Sequence, residues 1–278
     1  MKKIYLNLLF FVIIYCFNIQ ILFSERSNEG DLIIQGDEVF IIENEEFTQS
    51  GGNIIINDNG KLIIGNSTFN FILNYHEEFQ LSLYDSAKLE ILNSKVNSHF
   101  CFMIGINDNS EVLIESSKVE VTFISVRRNG KLSVLDNSHV HNVLIGESPL
   151  SLGEITEVKF ENSSIHEVGF WLHEDWYCEF SNLNNDSVAN FEVIYGINST
   201  APFNVRFENT YVFVFDMAVL NNAKFTLLNS NIFTIGFIGN GSQEVYIENS
   251  SINGLVIFGD YISLEFNGLR SGYLIILT

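Results

Sequence analysis

The sequence predicts an all-β solenoid: one chain wound into about ten coils of 20–27 residues, stacked as a single-stranded, right-handed parallel β-helix behind an N-terminal signal segment. Three observations predict it. A segment of the form [Lys/Glu]-apolar-x-apolar-x-Asn-[Ser/Thr] returns from Lys61 almost to the C-terminus. Inside each copy the apolar residues alternate with polar ones, as in a half-buried strand. Asn- and Gly-rich turns then punctuate the copies. A repeat this short cannot bury its own apolar face, so each copy must be one coil of a stack.

The elements follow in chain order. Lys2 and Lys3 precede an apolar run over residues 4–23, the charged and apolar regions of a secretory signal. A cut after Ser24 fits; the alternative is an uncleaved anchor, since about 20 apolar residues just span a bilayer. Residues 25–60 read as an irregular first coil or cap, with short apolar runs at 32–34, 39–42 and 53–57. Residues 61–278 carry the repeat as KLIIGNS (61–67), KLEILNS (88–94), EVLIESS (111–117), EVKFENS (157–163), NVRFENT (204–210), KFTLLNS (224–230) and EVYIENS (244–250). KLSVLDNS (131–138) has one inserted residue, and YCEFSNL (177–183) and SLEFNGL (263–269) are degraded copies.

In each copy the second and fourth residues are apolar: Leu89 and Ile91, Val112 and Ile114, Phe225 and Leu227. The same parity turns the sixth residue inward, giving a structural Asn ladder of Asn66, Asn93, Asn162, Asn182, Asn209, Asn229 and Asn249, with Ser116 once. Stacked amides would satisfy one another's buried polar atoms, and Asn tolerates the left-handed backbone of a corner. Three of six Asn-x-Ser/Thr sequons (Asn66, Asn162, Asn249) are then ladder residues closed to glycan, leaving Asn198 and Asn240 as acceptors. A second strand follows with Phe69, Val96, Val119, Ile165, Val212, Ile232 and Ile252. A third run closes the circuit before turns such as Asn57-Asp58-Asn59-Gly60 and Asn107-Asp108-Asn109-Ser110.

Coil length and the Asn column over residues 50–278 resemble the right-handed parallel β-helix superfamily typified by pectate lyases. The resemblance implies the fold and leaves activity open. Propeller blades need longer repeats and leucine-rich repeats a different consensus, so neither fits.

Composition narrows function further. The formal charge of −20, from 34 acidic and 14 basic residues, excludes a phosphate-backbone interface, so no nucleic acid is expected as partner. The 25 phenylalanines read as rings stacked between coils. Cys101 and Cys178 fall about four coils apart, too far for a disulfide.

Two surface constellations are candidate sites. Outward positions of successive first strands place Lys159, Glu179 and Arg206 in one row, with Glu161 and Glu208 beside them. In polysaccharide lyases of the resembled superfamily, acids on such a face hold Ca2+ and a base removes the proton beside a uronate carboxylate. Glu161, Glu179, Arg206 and Glu208 are the residues that alternative would use, and Ca2+ enters only with it; otherwise no cofactor is expected. The bland reading is a solvated ion-pair surface. The second constellation is Trp171, His173, Glu174, Asp175 and Trp176, both tryptophans beside acids, the chemistry on which sugar rings stack. Its bland reading has Trp171 in the core and the rest in a turn. His139 and His141 share a face without a third ligand, so no metal site is assigned.

The sequence thus points to a secreted or cell-surface, non-catalytic binding or structural module, its partner a polysaccharide or another surface component. The alternatives are a polysaccharide lyase acting on uronate polymers and a structural envelope protein held in the membrane through residues 4–23 if they stay uncleaved.

Overall fold

A computed structural model describes residues 24–145, 155–171, 175–181, 190–194, 202–209, 211–216 and 222–277. They form strands joined in one all-parallel sheet that closes on itself as a β-solenoid, with no helix among them. Residues 1–23, which hold the expected export segment, lie outside the described residues.

The repeated segments make the first strand of each coil. Val39–Glu43, Lys61–Gly65, Lys88–Leu92, Glu111–Glu115, Lys131–Leu135, Ile155–Glu161, Asp175–Ser181, Pro202–Glu208 and Asn222–Leu228 pair in that order. The later parts of Asn231–Glu248 and Ser251–Asn267 continue the ladder. Register is residue for residue: Leu62 faces Leu89, then Val112, Leu132 and Val158, all buried. Slipping it by one would turn every apolar side chain to water, which is why the alternation fixes the stack. Second strands (Ser24–Glu29, Glu45–Ser50, Thr68–Ile72, Lys95–Ser98) and third strands (Leu32–Ile34, Ile54–Ile56, Gln80–Leu83, Phe102–Ile106) form parallel ladders of their own. From Lys118–Val126 onward the two merge into one longer strand, kinked between Val119 and Phe123.

About seven turns are completed by the described residues. Uninterrupted stretches run from Ser24 to His139 and from Lys224 to Ser263. This is fewer than the ten coils expected from the repeats, because the connections between the remaining rungs lie outside the described residues. The regular stack begins earlier than residue 61. Residues 24–60 are full rungs, and VFIIENE (39–45) is a first copy of the repeat that starts with Val in place of Lys or Glu.

The corner after the first strand corrects the sequence reading. Asn66, Asn93, Asn162, Asn209, Asn229 and Asn249 do stand in equivalent positions, but their side chains are exposed. Each adopts φ between 47° and 50°, and so does Ser116. That left-handed residue ends the two-residue alternation, so the inward position passes to the residue after it. The buried ladder is therefore of serines: Ser67, Ser94, Ser117, Ser138, Ser163, Ser230 and Ser250. Ser67 N–H donates to Ser94 Oγ (3.0 Å), Ser94 N–H to Ser117 Oγ (3.0 Å), and Ser117 N–H to Ser138 Oγ (3.1 Å). Each hydroxyl then donates to a carbonyl of its own corner, as Ser94 does to Leu92 (2.7 Å) and Ser117 to Glu115 (2.7 Å). A hydroxyl both accepts and donates, which an inward amide would have to do with a far larger volume. Asn182 lies outside the described residues. Because Asn66, Asn162 and Asn249 are exposed, burial does not close them to glycan, while Asn198 lies outside the described residues.

The one-residue insertion in 131–138 is absorbed at this corner. Asp136 and Asn137 both take positive φ, and Ser138 still points inward. Ser138 N–H, however, turns back to Leu135 O (3.3 Å), and the buried Ser163 Oγ of the next coil has no hydrogen-bond partner.

A second ladder runs along the turns before the first strands. Asp58, Asp85, Asp108 and Arg128 occupy equivalent left-handed positions. Asp58 accepts from Gly36 N–H (3.0 Å), Asp85 from Asp58 N–H (3.3 Å), and Asp108 from Asp85 N–H (3.3 Å). Arg128 Nη1 closes the row on Asp108 (2.6 Å).

The core is aliphatic with ring stacks. Phe47 lies parallel to Phe69 at 5.7 Å, Phe71 edge-on to Phe102 at 5.1 Å, and Phe207 against Phe225 at 5.7 Å. On Ser24–Glu29, the first strand among the described residues, Arg26 stands in register with Phe47 and interrupts the stack. Its guanidinium lies 4.8 Å and 5.0 Å from the centroids of Phe40 and Phe47, donates to Ile41 O (2.7 Å), and pairs with the buried Glu45 (2.8 Å). An inward charge at a sheet edge opposes further stacking.

Candidate functional site

The outer face of the first-strand ladder carries the candidate site. Its side chains alternate with buried ones along each strand and recur at the coil spacing, about 4.8 Å. Register puts Lys159, Glu179, Arg206, Thr226, Tyr246 and Glu265 in one row, the row anticipated from the repeat. Glu161, Ser181, Glu208, Leu228 and Glu248 make the next row.

The four residues of the lyase alternative are thus brought onto adjacent strands, but not into one cluster. Glu161 and Glu208 are separated by the coil that bears Ser181, about 10 Å apart at two coil spacings. Charges pair along the strand: Lys159 Nζ with Glu161 Oε2 at 2.6 Å and Arg206 Nη2 with Glu208 Oε2 at 2.8 Å. Of Glu179 the backbone position alone is described. Among the described residues no three His, Cys, Asp or Glu side chains converge as a metal ion would need.

Toward the C-terminal side the same face opens into a groove of about 480 Å3. Arg206, Lys224, Glu244, Tyr246, Glu248 and Glu265 line it, with Tyr246 flanked on its own strand by Glu244 and Glu248, and Lys224 in register with Glu244. Tyr246 Oη donates to Glu248 Oε2 (2.5 Å), and Lys224 Nζ lies 3.8 Å from Glu244. The hydrogen bond to Glu248, then partial burial, then the charges of Glu248 and Glu265 raise the Tyr246 phenol above its ordinary value. The phenol therefore stays protonated, a donor and a ring face rather than a base. Tyr246 and Glu248 were not singled out from the sequence. Their copy, EVYIENS, places Tyr and Glu at the outward third and fifth positions, which was the available signal.

The tryptophan segment is only partly described. Trp171 ends Ser164–Trp171 with its backbone opposite Ile194; Asp175 opens Asp175–Ser181 opposite Ile155, and Trp176 faces Thr156 and Phe203. His173 and Glu174 lie outside the described residues. His139 sits on the second-strand ladder between Lys118 and Ser164, away from the groove. Cys101 is a free, half-buried thiol, raised above its ordinary value by burial and by Glu77, the reverse of what an activated nucleophile requires.

No protein-family model matches the chain, and comparison with curated proteins and with solved structures likewise gave no match.

Proposed function

We propose that the protein is a secreted or cell-surface, non-catalytic module that binds carbohydrate, or another component bearing similar hydroxyl groups, along the outer face of its first-strand sheet. The observation that carries this reading is the groove around Tyr246. A phenol ring flanked by carboxylates, a threonine and a lysine offers one stacking surface and several fixed hydrogen-bonding groups, the combination that suits a sugar ring. The charged groups there engage one another: Tyr246 with Glu248, Lys224 with Glu244, Arg206 with Glu208. Groups tied up this way recognise and orient; a general base needs a perturbed, unengaged group near neutrality. Export rests on Lys2, Lys3 and the apolar run of residues 4–23. Kinship with the pectate-lyase-like right-handed β-helices belongs to the same proposal, supported by coil length and parallel stacking.

A glycan array probed with residues 25–278 tests the reading. Binding to uncharged glycans should appear and should be lost in Tyr246→Ala with the thermal transition unchanged. An array without signal above background rejects it. The register that sets Lys159, Glu179 and Arg206 in one row favours a second reading, a lyase on uronate polymers. That reading requires unsaturated product from pectate or alginate with Ca2+, abolished by Arg206→Ala.

A further inference from the structure

The corner between first and second strands holds another groove, about 470 Å3, on residues that the first-strand face does not use. Along its floor the serine hydroxyls are saturated, each accepting a backbone N–H and donating to a carbonyl. Its rim is a different matter. Asn66, Asn93 and Asn137 are exposed, and their side-chain amides make no hydrogen bond among the described residues. Beside them Lys95 and Lys118 stand in register on adjacent coils, about half exposed at 49% and 51%. Both ammonium groups lean on one carboxylate, Glu120, at 3.2 Å and 2.5 Å. Two cations against one anion leave the rim positive, in a chain whose net charge is −20. Residues 61–131 hold seven of the 14 basic residues and eight of the 34 acidic ones, so this stretch is near neutral and most of the negative charge lies elsewhere in the chain.

We propose that this corner groove binds an anionic polysaccharide, its carboxylate or sulfate groups seated on Lys95 and Lys118 and its hydroxyls on the Asn66, Asn93 and Asn137 amides. Asn66 and Asn93, and Lys95 and Lys118, stand on adjacent coils at the pitch of about 4.8 Å, roughly the length of one sugar unit, so a linear polymer along the axis meets a like partner on neighbouring coils, with Ser116 in the amide's place before Asn137. Amides donate and accept at once, which matches hydroxyl groups. Nucleic acid is the poorer fit, since its affinity comes from many phosphates neutralised together. The inference stands independently of the Tyr246 groove.

Affinity electrophoresis of residues 25–278 in gels containing heparin (sulfate), polygalacturonate (carboxylate) or neutral dextran tests it, with a single-stranded oligonucleotide as competitor. At least one polyanion should retard the protein and dextran should not. Lys95→Gln/Lys118→Gln should weaken retardation roughly fivefold, and Glu120→Gln, which frees both lysines, should strengthen it about threefold, as expected for exposed charge contacts. Lys88→Gln, which removes an equally exposed lysine outside this groove, should leave it unchanged, which separates binding in the groove from a loss of overall charge. Circular dichroism confirms that each variant is folded. Failure of both polyanions to retard the protein, wild-type retardation in the double lysine variant, no gain in Glu120→Gln, equal retardation by dextran, or displacement by the oligonucleotide as effective as by free glycan would each overturn the proposal.

Discussion

Replacing Ser94 by Ala should cost far more than replacing its exposed neighbour Asn93. Ser94 Oγ accepts the Ser67 N–H at 3.0 Å and donates to Leu92 O at 2.7 Å, with Ile64 O at 3.1 Å as a second acceptor. Alanine removes both bonds, each worth about 1 kcal/mol net, and strands the Ser67 N–H in a dry corner, so the total comes to about 2–4 kcal/mol. Ser163→Ala is the internal control, because its buried Oγ has no partner to lose. That substitution should be neutral or slightly stabilising. Asn93 has φ 49° and an exposed side chain. Asn93→Gly should therefore change stability by a few tenths of a kcal/mol, and Asn93→Ala should cost about 1 kcal/mol through left-handed strain alone. Urea denaturation of the four variants, followed by circular dichroism with m held common, gives the comparison. The reasoning fails if Ser94→Ala loses less than Asn93→Ala, or if Ser163→Ala loses as much as Ser94→Ala.

Other expectations follow from the ends, the ion pairs and the groove. Arg26→Ala should destabilise the first coil by about 1–3 kcal/mol, since it leaves Glu45 buried without its partner, and Arg26→Phe should promote end-to-end association visible in sedimentation velocity. Glu111 and Glu120 are held below the ordinary carboxylate value of 4.5, mainly by hydrogen bonds from Lys88 and Lys118. Their contribution is complete above pH 4.5 and lost as pH falls through the lower folded values; Glu111→Gln and Glu120→Gln should flatten that acid limb of the urea midpoint. Lys88 is raised above 10.5 by its bond to Glu111, so its contribution is present below 10.5 and lost at higher pH, a limb that Lys88→Gln should remove. In an ultraviolet difference titration Glu248→Gln should lower the Tyr246 transition toward 10, and an unmoved transition would show that the hydrogen bond is not its cause.

The period-two alternation made the solenoid legible, because a stacked strand buried on one side writes its parity directly into the chain. What parity could not convey was the single left-handed residue at each corner. Counting alternate positions through Asn93 points it inward, whereas φ 49° at that residue hands burial to Ser94. The Asn-Ser pair recurred in plain sight, and the constancy of its serine was the missed signal. Residues 25–60 read as an irregular first coil and not as a copy of the repeat because Val39 and Glu45 stand where later copies have Lys or Glu and Ser, yet Asn44 and the apolar spacing match. Row membership of the outward residues was legible, since it needs only register. Concavity was not, because it depends on how Tyr246 leans to Glu248 and Lys224 to Glu244, which no spacing encodes.

Outside the corner with the inserted residue, the serine bonds run one way. The amide at the corner of Ser67 is met by the hydroxyl of Ser94, and that of Ser94 by Ser117, so each turn is finished by its successor. During synthesis, where the N-terminal part emerges first, a newly made turn waits only for the next to appear before its polar groups are satisfied. Wherever growth pauses, a single corner is outstanding, whatever the length already laid down. Duplicating or deleting one such regular turn keeps that number the same, which makes length a property that descent can adjust in unit steps while the neighbouring regular joints keep their partners.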